Sequence, residues 1–152
     1  MIRKAQIRDV PKIHALINHY ASQGLMLPLS LSDIYESLRD FVVYGDDGDV
    51  AGCCALKITW EDLAEVRSLA VRPDVTRKGI GTALVGSCIE EARQLGLRRV
   101  FVLTYLPDFF QKLGFARVSK DTLPHKVWSD CVRCPKFPDC REEALILEIR
   151  NG

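Results

Sequence analysis

AVRPDVTRKGIGTALV, residues 70–85, is the stretch of sequence that decides the fold. A strand is predicted to end at Val71, and after a short turn a long helix is predicted to begin at the pair Gly79 and Gly81. Because these residues lack side chains, backbone N–H groups at the start of the helix can approach an anion, and the helix dipole strengthens the attraction. The stretch therefore predicts a site for a phosphate-bearing cofactor.

The glycine pair by itself is a weak signal, because many glycine loops are only tight turns. The stretch is not a Walker loop, since no Gly-Lys-Ser/Thr follows at the required spacing. It also differs from the dinucleotide fingerprint, because the third glycine is missing and the preceding strand is the fourth rather than the first. The kind of phosphate-bearing ligand therefore has to be inferred from other parts of the sequence.

Length and composition predict one domain with its own hydrophobic core. The chain has 152 residues, of which 47% are hydrophobic and 27% are charged, and its formal net charge is +1. This balance gives no reason to expect a nucleic-acid surface. The start of the chain lacks the apolar region of a signal peptide, and no segment has the apolar length of a membrane helix. We therefore expect a cytoplasmic protein that binds neither nucleic acid nor membrane.

Hydrophobic periodicity predicts a mixed α/β domain with the element order β-α-α-β-β-β-α-β-α-β-β. Asp9 is the predicted N-cap of the first helix, and Gly96 ends the long helix that follows the glycine pair. Two strands joined by an Asp/Gly turn are predicted within residues 41–58. The last two strands are predicted near residues 115–119 and 143–150.

The stretch at 70–85 resembles the acetyl-CoA-binding motif of the GNAT superfamily of N-acetyltransferases, Arg/Gln-x-x-Gly-x-Gly/Ala. Gly79 and Gly81 match the glycines, whereas Thr76 stands where the family has Arg or Gln. A second family motif, F-[YF]-x-K-x-G-F, is matched by FFQKLGF at residues 109–115. The order of elements fits the family over nearly the whole chain. The resemblance implies the GNAT acyl-CoA N-acyltransferase fold in a single domain, 1–152.

The resemblance also implies acetyl-CoA as the cosubstrate and a set of residues that bind it. Backbone groups on the fourth strand would polarise the thioester carbonyl, and the glycine loop would bind the pyrophosphate. The cofactor-binding residues implied are Leu69, Ala70, Val71, Arg77, Lys78, Gly79, Ile80, Gly81, Thr82, Phe110 and Lys112.

A narrower resemblance concerns GLMLPLSLSDI, AEVRSLAVRPD, GLRRVFVLTYLPDFFQKLGF and TLPHKVW. These segments are similar to the acetyltransferase domain of N-acetylglutamate synthases, in a short stand-alone form. The resemblance implies that the α-amino group of L-glutamate is acetylated, in arginine biosynthesis. Leu29 departs from it, because many relatives have an arginine there. Another amino acid, a small amine or a protein N-terminus stays open as the acceptor, and a homodimer is compatible with the resemblance.

Acetyl transfer to an amine requires a base for the amine proton and an acid for the leaving thiolate. Glu65 on the fourth strand is the candidate base; the alternative is an outward-facing carboxylate paired with Arg67. The family's usual acid is a tyrosine at the position of Phe110, so Tyr105 is the candidate substitute. Arg67 and Lys126 are the cations predicted to bind the substrate carboxylates.

The segment WSDCVRCPKFPDC, residues 128–140, lies in an insertion predicted at 119–143 between the last two strands. Three soft ligands and one imidazole would form a tetrahedral zinc site: Cys131, Cys134, Cys140 and His125. Free thiols in a folded loop are the alternative, and a disulfide fits a reducing compartment least well. A metal- or redox-sensing module is the competing function that this segment leaves open. The other three cysteines lie in apolar segments and are predicted to be buried: Cys53, Cys54 and Cys88.

Overall fold

The strands and helices of the domain follow the predicted order. The structure is a computed structural model that describes residues 1–123 and 142–149. The strands are β1 (Ile2–Lys4), β2 (Phe41–Tyr44), β3 (Gly52–Trp60), β4 (Leu63–Val71), β5 (Arg99–Thr104), β6 (Ala116–Val118) and β7 (Glu143–Glu148). The helices are α1 (Val10–Ala21), α2 (Leu31–Glu36), α3 (Ile80–Gln94) and α4 (Pro107–Lys112). The mixed α/β class and the element order are confirmed.

The strands form one sheet in the order β1-β2-β3-β4-β5-β7-β6. Neighbouring strands are antiparallel except β4 and β5, which are parallel. The last strand in sequence, β7, lies between β5 and β6. The parallel strands β4 and β5 at the middle of the sheet are connected by a crossover through α3, which has the glycine loop at its start.

Helices cover both faces of the sheet. One face packs against α3 and α4 in a core that includes Val66, Leu84 and Val102. The other face packs against α1 and α2 in a core that includes Ile13 and Phe41. Because both layers are apolar, the middle strands are buried on both sides.

The parallel pairing of β4 with β5 is short. Leu63, Ala64 and Glu65 pair with Arg99, Val100 and Phe101, and the ladder ends there. Both strands continue, β4 to Val71 and β5 to Thr104. The two strands therefore diverge beyond Glu65, and the sheet has a V-shaped opening in its middle.

Asp9 precedes α1 as predicted, but its side chain does not cap that helix. Its carboxylate is 1% exposed and accepts from both terminal nitrogens of Arg3, at 2.7 and 2.9 Å, and from the backbone N–H of Gln6 at 2.7 Å. Arg3 also donates to the carbonyls of Asp46 and Asp49 in the β2–β3 turn. Asp9 is thus the N-cap residue of α1, as predicted, but its carboxylate makes no capping hydrogen bond because Arg3 and Gln6 bind it instead.

We expect Asp9→Asn to lower the free energy of unfolding by about 3 kcal/mol at pH 7, because it leaves Arg3 without its buried counter-charge. The hydrogen bonds from Arg3 hold the pKa of Asp9 below its ordinary value. The stabilisation is therefore fully present above pH about 4 and is lost as the pH falls through the depressed pKa. Urea unfolding at pH 7 and pH 3 should show the difference between the two proteins shrink at pH 3.

Asp47→Asn is the matched control, because Asp47 is 78% exposed and pairs with Arg8 at the surface. This change should alter the free energy of unfolding by about 0.5 kcal/mol or less. Equal losses from both substitutions would contradict a special role for the Arg3–Asp9 pair.

Candidate active site

A cleft of about 780 Å³ occupies the opening between β4 and β5. Its floor is formed by residues 65–71 of β4 and by residues 102–104 at the end of β5. One wall is the glycine loop with the start of α3, and the opposite wall is the segment 24–28 between α1 and α2. The cleft therefore joins the predicted anion site to the middle of the sheet.

The glycine loop begins α3 in the way the sequence predicted. Gly79 is the N-cap of the helix, with φ of 80°, and open space surrounds the position that a Cβ would take. Arg77, two residues earlier, also has positive φ, at 69°. Gly81 lies against the ring of Phe109, 3.4 Å from the position of an added Cβ. Backbone N–H groups of the first helical turn are consequently accessible from the cleft, as an anion site requires.

Most of the residues predicted to bind the cofactor line this cleft. They are Leu69, Ala70, Val71, Arg77, Gly79, Ile80, Gly81, Thr82 and Phe110. Lys78 and Lys112 are described and exposed, but neither belongs to the cleft wall. A contact of either lysine with the cofactor stays a prediction.

A bulge in β4 turns the strand where it enters the cleft. Two residues, Ser68 and Leu69, lie opposite the single residue Cys54 of β3, and Ser68 has φ of 57°. A non-glycine residue in this region is uncommon and costs free energy. Beyond the bulge the alternation of side chains is inverted, so that Leu69 and Ala70 face the opposite sides from those a regular strand would give them.

Buried thiols lie directly behind the bulge. Cys53 Sγ is 3.5 Å from the carbonyl oxygen of Ser68, and Cys54 Sγ is 3.7 Å from that of Arg67. Burial raises the pKa of Cys53 to about 12. The pKa of Cys54 is also raised, mainly by its hydrogen bond with Cys88 and, to a smaller extent, by burial. The prediction that Cys53, Cys54 and Cys88 are buried is confirmed. Thiols that stay protonated at neutral pH pack and donate hydrogen bonds but do not act as nucleophiles.

Glu65 and Arg67 project from the same face of β4 before the bulge, and both line the cleft. Their side chains are 15% and 19% exposed, and Arg67 Nη1 lies 3.9 Å from Glu65 Oε1. Glu142, just before β7, also lines the cleft. The cleft thus carries charged side chains, of which those of Glu65 and Arg67 are largely buried. A carboxylate in such a place can take a proton from an amine, and a guanidinium can bind a carboxylate.

Tyr105 follows β5 and lines the cleft. The hydroxyl of Thr104 accepts from the backbone N–H of Leu106 at 2.9 Å and fixes the turn that carries Tyr105. Phe110 is buried, with edge contacts to Phe109 and Phe115 at 5.0 and 5.3 Å between ring centroids. Its ring belongs to the core and has no proton to donate, which leaves Tyr105 as the candidate acid.

The wall formed by residues 24–28 was not predicted as part of the site. The segment GLMLPLSLSDI carried the narrower resemblance, but periodicity gives no signal for an apolar loop over a cleft. Leu29, the residue that departs from the resemblance, packs half-buried against the core under α1 and α2. Its carbonyl accepts from the side chain of Asn18 at 3.0 Å, and it is not part of the cleft wall in the described structure.

The predicted zinc ligands and Lys126 lie outside the described residues. Within residues 1–123 and 142–149, no group of three or more His, Cys, Asp or Glu side chains is arranged to hold a metal ion. In the same part of the chain, no helix is both long enough and apolar enough to span a membrane.

Comparison with known proteins gives the family of this fold. The model of the acetyltransferase (GNAT) family matches residues 12–115. A Chlorobaculum tepidum protein named only as an N-acetyltransferase is 39% identical over 145 residues, which are 95% of this chain and 94% of that protein. An amino-acid acetyltransferase of Mycobacterium tuberculosis is 38% identical over 136 residues, which are 88% of this chain and 78% of that protein.

A solved structure agrees with these sequence matches. N-acetylglutamate synthase from Neisseria gonorrhoeae, crystallised with coenzyme A and N-acetyl-glutamate, superposes with a TM-score of 0.91 at 30% identity. The match covers 99% of this chain and 35% of that longer protein, so the chain spans about a third of it. By its family model and these relatives, the chain belongs to the GNAT family and is an N-acetyltransferase that uses acetyl-CoA as its cosubstrate.

Proposed function

We propose that the acceptor is the α-amino group of L-glutamate, which makes the protein a cytoplasmic N-acetylglutamate synthase of arginine biosynthesis. The observation that carries this proposal is the cleft itself, with a helix N-terminus on one wall and the charged pair Glu65 and Arg67 on its floor. The relatives named amino-acid acetyltransferase, and the synthase that binds coenzyme A and N-acetyl-glutamate, support it.

Acetyl-CoA supplies the acetyl group, activated as a thioester. We assign its pyrophosphate to the backbone N–H groups of the glycine loop, where the positive end of α3 favours negative charge. Glu65 and Val71 are six residues apart on β4, roughly 20 Å along a strand. The extended arm of the cofactor therefore lies along the diverging part of β4, with its reactive end toward Glu65.

Catalysis at that end requires three functions from this chain. Glu65 accepts the proton that the amine loses, directly or through water. The thioester oxygen is assigned to backbone N–H groups of the segment Leu69–Val71, which stabilise the negative charge that develops there. The N–H of Ala70 points toward Cys53 on β3, so the groups at the open edge of β4 are those of Leu69 and Val71. Tyr105 donates the proton that the departing sulfur takes up. A thiol has a reference pKa of about 8.5, so solvent would replace this donor at modest loss of rate.

Acceptor recognition is assigned to cations. Arg67 binds one carboxylate of the acceptor, and its fork of donors suits that geometry. Lys126 is proposed to bind the second carboxylate. For the cysteines of the insertion there are two alternatives: with His125 they hold zinc, or they are free thiols. The chelator arm of the acceptor assay tests the zinc, and the variant Arg67→Gln tests Arg67.

We expect thiol release from acetyl-CoA to be fastest with L-glutamate among a panel of amino acids, polyamines and peptides with free N-termini. Purified protein is assayed at millimolar acceptor, with and without a chelator. The absence of turnover on glutamate, with turnover on another acceptor, would overturn the glutamate assignment and leave the acetyltransferase intact. Loss of zinc together with loss of activity in the chelator arm would support a structural metal; unchanged activity with no zinc in the purified protein would exclude it.

A different amino acid is the second candidate acceptor. The observation that favours it is Leu29, which lies against the core instead of presenting a cation to the cleft. The panel separates the two candidates, because an acceptor with a neutral side chain would then be used at least as well as glutamate.

A further inference from the structure

Tyr20 connects the helix layer to the end of β4. It lies in the last turn of α1, and its hydroxyl donates to the carbonyl oxygen of Val71 at 2.5 Å. Both residues line the cleft. Burial raises the pKa of Tyr20, so its hydroxyl keeps its proton and remains a donor at neutral pH.

The peptide between Val71 and Arg72 is held from both sides. Its carbonyl accepts from Tyr20, and its N–H donates to the carbonyl of Ala51 at 2.8 Å. The chain then turns through a single 3-10 turn, Pro73–Val75, toward the glycine loop. This peptide consequently sets the direction in which the backbone leaves β4 for the anion site.

The hydroxyl of Tyr20 binds β4 in the part of the strand that is no longer paired with β5. Pairing with β5 ends at Glu65, so that among the described strands the later residues of β4 pair with β3 alone. A fixed donor from α1 replaces part of the missing support at the open edge. The backbone groups left at this edge are the ones assigned to the cofactor, and their direction depends on the peptide that Tyr20 holds.

Tyr20 also starts the opposite wall of the cleft. Its backbone carbonyl accepts from the N–H groups of Gln23 and Leu25, at 3.1 Å each. These bonds close the turn that leads into residues 24–28, which line the cleft. Tyr20 therefore connects the wall formed by residues 24–28, which we call the acceptor wall, to β4, where the cofactor is proposed to bind.

We propose that Tyr20 is a positioning residue that aligns the end of β4 with the acceptor wall, and so presents the backbone of β4 and the glycine loop to acetyl-CoA. The inference rests on the proposed placement of acetyl-CoA along β4. It does not depend on glutamate as the acceptor.

The test is Tyr20→Phe, with Tyr44→Phe as the matched control. Tyr44 is also half-buried, lies on β2 and is not part of the cleft wall in the described structure. Since a hydrogen bond contributes about 1 kcal/mol, we expect the dissociation constant of coenzyme A and the KM of acetyl-CoA to rise about fivefold in Tyr20→Phe. The kcat at saturating acetyl-CoA should stay within about twofold of wild type, and Tyr44→Phe should bind like wild type.

Calorimetric titration of coenzyme A and amide hydrogen exchange separate the outcomes. Faster exchange at Arg72 in Tyr20→Phe, with weaker binding, supports positioning, whereas unchanged affinity overturns it even if thermal stability falls. Gly79→Ala is titrated in the same series. Weaker binding in that variant, with wild-type binding in Tyr20→Phe, removes the role of Tyr20 but keeps the cofactor site; unchanged binding in both removes the site along β4 as well.

Discussion

Glu65→Gln is expected to lower kcat about 100-fold at pH 7, which is the low end of what a positioned base contributes. Glutamine has the shape of glutamate but cannot accept the proton of the amine. The loss should shrink at higher pH, because an α-amino group with a pKa near 8 loses its proton to solvent without help. Initial rates of thiol release between pH 6.5 and 9.5, at saturating acetyl-CoA, measure both effects.

Two controls distinguish a base from an ion-pair partner. Glu61→Gln removes an exposed carboxylate from the β3–β4 turn and should leave kcat unchanged. Arg67→Gln removes the cation 3.9 Å from Glu65 while keeping the carboxylate. If Glu65 served only to hold Arg67, both changes at the pair would raise the KM of the acceptor with the same pH profile. A base requires instead that the pH profile change in Glu65→Gln alone.

The conformation of the glycine loop could be predicted from sequence, because it depends on local chemistry. Glycines at the start of a long helix after a strand determine a backbone conformation and an exposed set of N–H groups, and Gly79 has the positive φ that this conformation needs. The order of elements was also predictable, since each strand and helix has its own periodicity. Burial of Cys53, Cys54 and Cys88 followed from their apolar neighbours.

The shape of the cleft was not predictable in the same way. The alternation in LAEVRSLAV, residues 63–71, slips by one residue at Arg67 and Ser68, where the bulge inverts which side chains face each layer. Two adjacent polar residues do not by themselves distinguish a bulge from the end of a strand. The end of the parallel pairing at Glu65 depends on strands that are more than thirty residues apart in sequence. Such features arise from tertiary packing, which local propensity does not record.

Side chains with distant partners were also misread. Asp9 has the spacing of a helix cap, but Arg3 binds its carboxylate. Tyr20 fits the apolar stripe of α1, and the sequence gives no sign that its hydroxyl reaches Val71 on a strand 51 residues later. In both cases the fold, and not the spacing along the helix, determines which polar atom the side chain contacts.

Gly79→Ala is expected to raise the KM of acetyl-CoA at least tenfold. The φ of 80° costs an alanine about 1–2 kcal/mol, so the loop will relax away from the conformation that exposes the N–H groups of α3. The new methyl group would also enter the open space proposed for the pyrophosphate. Initial rates at varied acetyl-CoA, measured well below the melting temperature, separate this effect from the loss of stability.

Two other glycines serve as controls. They separate the effect of backbone strain from the effect of a substitution at the start of α3. Gly48 has φ of 78° with open space around its Cβ position, but it lies in the β2–β3 turn, so Gly48→Ala should lower stability similarly and leave the KM unchanged. Gly86 lies inside α3 without positive φ, and Gly86→Ala should stabilise the helix by up to about 1 kcal/mol. An equal rise in KM from Gly48→Ala and Gly79→Ala would mean that strain alone reduces activity, and the pyrophosphate would then have to bind elsewhere than at the start of α3.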